Sequence, residues 1–241
     1  MLKRSDIKRE AAKIINEELT VDDSLFLYHD VCTNGIGYVD LMFKTDSIAP
    51  EQIPYLGLLK SVLGYVDTEN YTYGELFNEI NANTGGINCG VEVFDRADST
   101  EEFQAMFSVR GKALYTKLDF LFKMIGEILN SSKLEDTKRL YEIVASVKSR
   151  AQVNLTGAGH STAVLRAAAY SSPMAAFQDE MAGIGYYQFI EKLEKDFEQR
   201  KEETVEELCK LMKKILRPEN FMISYTGERE SMETVQKLAG A

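Results

Sequence analysis

Strand patterns lie mainly in the first half of the chain, helical patterns lie mainly in the second half, and one strand pattern returns near the end. Residues 87–94 and 103–110 alternate apolar and polar side chains, which predicts two paired antiparallel strands joined by the polar turn 95–99. Further strands are predicted at residues 24–29, 37–43 and 221–225. Segregated strands and helices are typical of an α+β domain. The sequence therefore predicts an α+β fold with a mainly antiparallel sheet and helices packed on one face.

The helical segments show apolar side chains at the spacing of one helix face. The clearest stripe predicts a long helix over residues 113–130, and its members are Leu114, Leu118, Leu121, Phe122, Ile125, Ile128 and Leu129. A second long helix is predicted over residues 134–153. A charged segment from residue 3 to about 19 predicts a first helix, so residues 1–20 are interpreted as the end of a helical linker and residues 21–241 as one domain.

Composition and charge exclude several classes of protein. The chain has 241 residues, of which 44% are hydrophobic and 27% charged, values that are ordinary for a globular protein. Its net charge of −10 argues against non-specific nucleic-acid binding, which needs clustered Lys and Arg. The beginning of the chain lacks a signal-peptide core, and no apolar run is long enough for a membrane span. The three cysteines cannot form a closed disulfide framework. We therefore expect a cytoplasmic protein with no nucleic-acid or membrane partner.

The residues that could carry chemistry are few, because the chain has only two histidines. His29 lies three residues from Cys32 without a second ligand pair nearby in sequence, so a strand-end histidine is preferred to a metal ligand. His160 follows Gly157 and Gly159, where it is interpreted as fixing the start of a helix. The two glycines are interpreted as a helix break, because neither a dinucleotide fingerprint nor a phosphate loop follows them. We therefore predict no catalytic residue and no metal ligand in this chain.

The helical pattern around this break carries a recognisable motif. It stops at Gly157-Ala158-Gly159, restarts with Ser161 and Thr162 as candidate caps, and continues through Arg166, which could pair with Glu180 or Asp179. Ser172-Pro173, Gly183 and Tyr186 follow downstream. This arrangement resembles the third, non-catalytic domain of presequence-protease-like zinc metallopeptidases of the pitrilysin/insulinase group. Gly157, Gly159, His160 and Arg166 are therefore interpreted as structural motif residues.

A second segment carries the same resemblance and lacks the family's catalytic motif. Catalytic domains of the group use HxxEH on a helix, in which both histidines bind zinc and the glutamate activates water. The alignment that the resemblance implies places Leu58-Leu59-Lys60-Ser61-Val62 at that position. Thr84-Gly85-Gly86-Ile87 resembles the paired glycine that precedes the edge strand of the active site. Gly85 and Gly86 are therefore interpreted as motif residues, and Asn88 and Cys89 follow them.

The resemblance implies a working part of an enzyme that is not itself catalytic. The parent protein would be a zinc endopeptidase that closes around unstructured peptides, with zinc held in its first domain. This chain would form a wall of that chamber, its partners being other domains of the same polypeptide and the peptide substrate. Two alternatives stay open at this point: a degenerate peptidase-like structural subunit, and a hydrolase that uses Cys89 or Cys209 with His29 or His160.

Overall fold

The computed structural model describes residues 16–240, which form a mixed sheet and a layer of helices. The strands are β1 (Glu17–Val21), β2 (Ser24–Asp30), β3 (Ile36–Lys44), β4 (Ile87–Arg96), β5 (Ser99–Leu114) and β6 (Phe221–Gly227). The helices are α1 (Ile53–Val62), α2 (Tyr73–Asn83), α3 (Leu118–Ser131), α4 (Thr137–Gly157), α5 (Gly159–Ala168), α6 (Pro173–Ala182), α7 (Ile184–Lys195), α8 (Phe197–Ile215) and α9 (Arg229–Ala239).

The six strands of the described residues form one sheet in the order β1-β2-β6-β3-β5-β4. β2 and β6 run parallel, with Leu25 opposite Met222, and the other neighbouring strands are antiparallel. β4 lies at one edge of the sheet and β1 at the other. The predicted α+β class with a mainly antiparallel sheet is therefore confirmed.

The helices pack on one face of the sheet, because alternate residues of the central strands are apolar and point toward them. Val39 of β3, Val109 of β5 and Tyr225 of β6 are buried on this face. Gly111 of β5 lies against Leu121 of α3, which is fully buried. Leu121 and the three strand residues belong to one large core cluster of the described residues. The residues between them in each strand point to the opposite face.

Local signals explain most of the element boundaries. Pro50 begins a short 3-10 turn that continues as α1, since proline fits the first turn of a helix. Thr72 caps α2 by accepting a hydrogen bond from the backbone N–H of Glu75 at 3.3 Å. The turn between β2 and β3 places Asn34 and Gly35 at positive φ, which both residue types tolerate. α3 begins at Leu118 rather than at residue 113, because β5 continues to Leu114.

The last residues of the predicted first helix form a strand instead. Glu17–Val21 is β1, an edge strand that pairs with β2 through a turn in which Asp22 and Asp23 have φ values of 45° and 66°. Those backbone angles permit a tight hairpin. Pairing with β2 therefore decides the structure of this charged segment, whose helical pattern is weak. Residues 3–15 of the predicted helix lie outside the described residues. The division between residues 1–20 and 21–241 stays a prediction, and β1 spans that position.

Candidate functional site

The sheet leaves a groove of about 490 Å³ on the face opposite the helices. Four strands contribute one residue each to a row across it, because Ser224, Asp40, Arg110 and Asn88 are successive partners in register. The side chains of what we call the sheet groove are Tyr38, Asp40, Asn88, Arg110, Lys112, Ser224 and Thr226. The sheet groove therefore presents polar and charged groups from four strands to one open space.

Arg110 is the central charge of the sheet groove. Its Nε donates to Asp40 Oδ2 at 2.7 Å, and its Nη1 lies 3.1 Å from Glu92 Oε1. Burial raises the pKa of Asp40 above its usual range, and the hydrogen bond and charge of Arg110 act in the opposite direction. The Arg110 side chain is 50% exposed, so part of the guanidinium remains available to a ligand. Sequence reasoning missed this row, although the positions of Asp40 and Arg110 between core residues of their strands were a usable signal.

The predicted motif residues Gly85 and Gly86 lie at the rim of the sheet groove. The backbone N–H of Gly85 donates to Lys112 O at 2.7 Å, and a Cβ on Gly85 would lie 2.6 Å from Lys112 Cγ. Gly86 has a φ of 106°, a conformation that other residues rarely adopt. The pair therefore allows the chain to leave α2 and enter β4 directly beside Lys112.

β4 is the edge strand that follows the glycine pair, and it divides its side chains between the two faces. Cys89 and Val91 pack against the core, whereas Asn88 lines the sheet groove. Burial raises the pKa of the Cys89 thiol to about 12 and also raises that of Cys209. Because the thiolate is the reactive form, both thiols are poor nucleophiles. Burial of both thiols therefore argues against the Cys/His hydrolase alternative.

The segment aligned with the zinc motif lies on α1, and its two histidine positions belong to the core. Leu58 and Val62 are both 0% exposed, and neither side chain carries an atom that can bind zinc. Among residues 16–240, no group of three or more His, Cys, Asp or Glu side chains could hold a metal ion. His160 lies on the exposed side of α5, and His29 lies on β2.

The second predicted motif builds the junction of α5, α6 and α7. Arg166 Nη1 lies 2.6 Å from Asp179 Oδ2, so the arginine selects one of the two carboxylates that the sequence offered. The Asp179 side chain is buried and also accepts backbone hydrogen bonds from Ile184 at 3.0 Å and Gly185 at 3.2 Å. Asp179 therefore holds the start of α7 against α5.

The helix break itself lies at Ala158, between α4 and α5. Gly157 ends α4, and Gly159 begins α5. A Cβ on either glycine would meet no atom within 4 Å, so space does not require glycine there. The candidate caps are wrong, because no side chain caps α5 and Thr162 Oγ1 donates back to Ala158 O at 3.3 Å.

Comparison with known proteins decides which family these features belong to. Residues 1–193 match the family described as peptidase M16 (subfamily C) associated. The chain belongs to this peptidase-associated family. The predicted resemblance to presequence-protease-like peptidases is thereby confirmed, and the chain is a non-catalytic peptidase-associated domain.

The chain is similar to parts of longer proteins from bacteria, plants and fungi. The chain is 35% identical to Protein HypA of Clostridium perfringens over 98% of its own length and 24% of that protein. It is 25% identical to presequence protease 1, chloroplastic/mitochondrial, of Arabidopsis thaliana over 98% of its length and 22% of that protein. It is 27% identical to the mitochondrial presequence protease of Yarrowia lipolytica over 98% of its length and 24% of that protein. The chain thus spans about a quarter of the length of these relatives.

A solved structure shares the fold of this peptidase-associated domain. The crystal structure of a conserved protein from Enterococcus faecalis V583 superposes with a TM-score of 0.63 at 12% identity, covering 93% of this chain and 51% of that one. Within residues 16–240, no helix has the length and apolar character needed to cross a membrane. Some relatives carry mitochondrial or chloroplastic names, so the cytoplasmic location stays a prediction.

Proposed function

We propose that the chain is one wall of a closed chamber in a longer zinc metalloendopeptidase, and that the sheet groove faces an enclosed unstructured peptide. One observation carries the proposal: the helices pack on one face of the sheet, while the row from Ser224 to Asn88 stays open on the other. A face of this kind can line a cavity while the helices support it from outside. The membership of the peptidase-associated family supports the same role.

The catalytic zinc of such an enzyme would lie in another domain of the same polypeptide. The burial of Leu58 and Val62 supports this, because the α1 segment serves the core and offers no ligand. In the parent enzyme a bound zinc would activate water for attack on the peptide bond. This chain would contribute by excluding bulk water and by limiting where the peptide can lie.

The sheet groove has the chemistry to hold an extended peptide without selecting one sequence. Arg110 donates from a half-exposed guanidinium, and Asn88 offers both a donor and an acceptor. β4 has one strand partner among the described residues, which is β5 on its inner side. Backbone groups on its outer side could pair with a peptide strand, because main-chain hydrogen bonds are independent of sequence.

Site-specific photocrosslinking in the parent polypeptide tests which face meets the peptide. A benzophenone side chain would replace Tyr38 in the sheet groove, and the matched control would replace Tyr170 beyond α5, which is 84% exposed. A chelator would remove zinc so that an unstructured peptide stays intact during irradiation. We expect crosslinks from position 38 and none from position 170. Equal labelling at both positions, or none at position 38, would contradict the proposal.

Reconstitution tests whether the wall is needed for activity. The catalytic half of the parent would be assayed on an unstructured peptide, alone and with this chain plus the remaining domains. We expect a large gain on addition, because misplacing a substrate by about 1 Å can cost on the order of a hundredfold in rate. Full activity from the catalytic half alone would refute the wall role.

A further inference from the structure

A second cavity, of about 230 Å³, lies among the helices on the other side of the sheet. It is bounded by the end of α1, the second half of α4, the start of α5 and the connection from α6 to α7. The polar side chains of what we call the helix cleft are Lys60, Ser61, Arg150, Asn154 and Thr162. Two motifs from the sequence analysis meet here, because Lys60 and Ser61 come from the aligned zinc segment and Thr162 from the helix break.

The charge of the helix cleft is positive and uncompensated. Lys60 and Arg150 line it, and the other lining residues of the described chain include no carboxylate. Burial lowers the pKa of Lys60, which shows that its environment disfavours an unpaired positive charge. The charge of Glu92 raises the pKa of Lys60, but the Glu92 carboxylate is already paired with Arg110 at 3.1 Å. An anion in the helix cleft would relieve the cost of burying Lys60.

Tyr186 lines the helix cleft with its ring and adds no polar group to it. The residue is 5% exposed, and its hydroxyl group is fully buried. That hydroxyl lies beside the Ser61 hydroxyl, which donates to Gly57 O at 3.4 Å. The ring lies where a Cβ on Gly57 would come within 2.8 Å of Tyr186 Cε2, so glycine makes room for it. The charged groups that the cleft can offer to an anion are therefore Lys60 and Arg150.

The remaining wall of the helix cleft is apolar and restricts the kind of anion that fits. Val147 and Leu155 come from α4, and Met181 comes from the end of α6. We propose that the helix cleft binds a carboxylate attached to an apolar group, with Lys60 and Arg150 supplying the positive charge and the apolar side chains holding the attached group. Such a group occurs at the C-terminus of a peptide that ends in an apolar residue, and in a short free fatty acid. This inference depends on the helix cleft itself and not on the proposed wall role.

Calorimetric titration of the full chain distinguishes the sources of the carboxylate. The probes are acetyl-Ala-Ala-Leu as the free acid, the same peptide as its C-terminal amide, butyrate and inorganic phosphate. We expect the free acid to bind at least about tenfold more tightly than the amide, since hydrogen bonds to a charged group are the stronger ones. Tighter binding of the peptide acid than of butyrate would assign a peptide C-terminus, and equal binding would assign a free acid. Equal binding of acid and amide, or tightest binding of phosphate, would overturn the proposal.

Two variants connect binding to the named side chains. Arg150→Gln removes an exposed cation of the helix cleft and should weaken binding of the free-acid peptide by about tenfold. The matched control Lys148→Gln removes the same charge from α4, but Lys148 pairs with Glu194 at 2.9 Å, so affinity should not change. Equal losses of affinity from both variants, or no loss from Arg150→Gln, would overturn the assignment.

Discussion

Replacing Leu121 with alanine should remove a contact that fixes α3 to the sheet. Leu121 is 0% exposed, and its Cδ1 would lie 2.6 Å from a Cβ placed on Gly111 of β5. The leucine therefore fills the space that the missing side chain of Gly111 leaves. Neither the helix nor the sheet can move in easily to refill that space, because other buried residues of α3, such as Leu118 and Ile125, hold them apart.

The expected loss follows from the atoms removed and the cavity left behind. Three carbon groups at about 0.8 kcal/mol each give about 2.4 kcal/mol of lost transfer free energy. Leucine-to-alanine changes in cores cost about 2–5 kcal/mol once the cavity is included, and limited collapse favours the upper half of that range. We therefore expect Leu121→Ala to lower the free energy of unfolding by about 3–5 kcal/mol.

A double-mutant cycle tests the contact itself. Gly111→Ala alone should cost about 1–3 kcal/mol, because the new methyl group overlaps Leu121. In the Leu121→Ala background the same methyl group enters vacated space, so its cost should fall by about 1–2 kcal/mol. Gly111 does not have a positive φ, so backbone strain does not contribute.

Urea unfolding, followed by far-UV circular dichroism, measures each free energy. The exposed Leu114 is the control, and Leu114→Ala should change stability by less than about 0.5 kcal/mol. If the double variant loses the sum of the free energies lost by the two single variants, the account of the Gly111–Leu121 contact is refuted. A loss below about 1 kcal/mol for Leu121→Ala would refute the expected packing.

Other side chains give predictions of stability and reactivity. Arg166→Gln leaves the buried Asp179 carboxylate without its charged partner and should lower the free energy of unfolding by about 1–3 kcal/mol, measured by urea unfolding; an unchanged midpoint would contradict this. The pKa of Glu228 is lowered from 4.5 to about 2, and the largest cause is a hydrogen bond from Tyr115. The ionised Glu228 therefore stabilises the folded protein fully above pH 4.5, and this contribution is lost as pH falls toward 2. The loss of unfolding free energy caused by Glu228→Gln should shrink over the same range. A difference between the two proteins that stays constant from pH 4.5 to 2 would contradict this prediction. Iodoacetamide at pH 8 should label the exposed Cys32 before Cys89, whose pKa is about 12, and mass spectrometry of peptides would reveal the opposite order.

The local parts of the fold could be predicted from the sequence because their signals are local. β4 and β5 form a hairpin whose alternation is visible in the chain, and α2 begins at a capping box. β1 could not be predicted, because a short charged strand is stabilised by pairing with β2 rather than by its own pattern. The position of β6 between β2 and β3 likewise depends on contacts between distant segments.

The candidate sites were harder to predict than the elements that carry them. Gly85 and Gly86 were singled out by their resemblance to a paired glycine, and their role as motif residues stays a prediction. Gly86 does have the positive φ that favours glycine. Arg110 and Asp40 each lie between core residues of their strands, but only the register of β3 and β5 shows that they pair. Lys60 and Arg150 look like ordinary surface charges, and only the packing of four helices brings them to one cleft.

The place of β6 in the sheet also determines when the domain can fold during synthesis. β6 separates β2 from β3, so the centre of the sheet joins the beginning of the domain to residues 221–227. Until that segment leaves the ribosome, β2 and β3 each have an unpaired edge that can pair with other chains. Contacts between such distant segments also slow folding. The nascent chain therefore depends on protection from aggregation for most of its synthesis, and a fragment that ends before residue 221 should aggregate rather than fold.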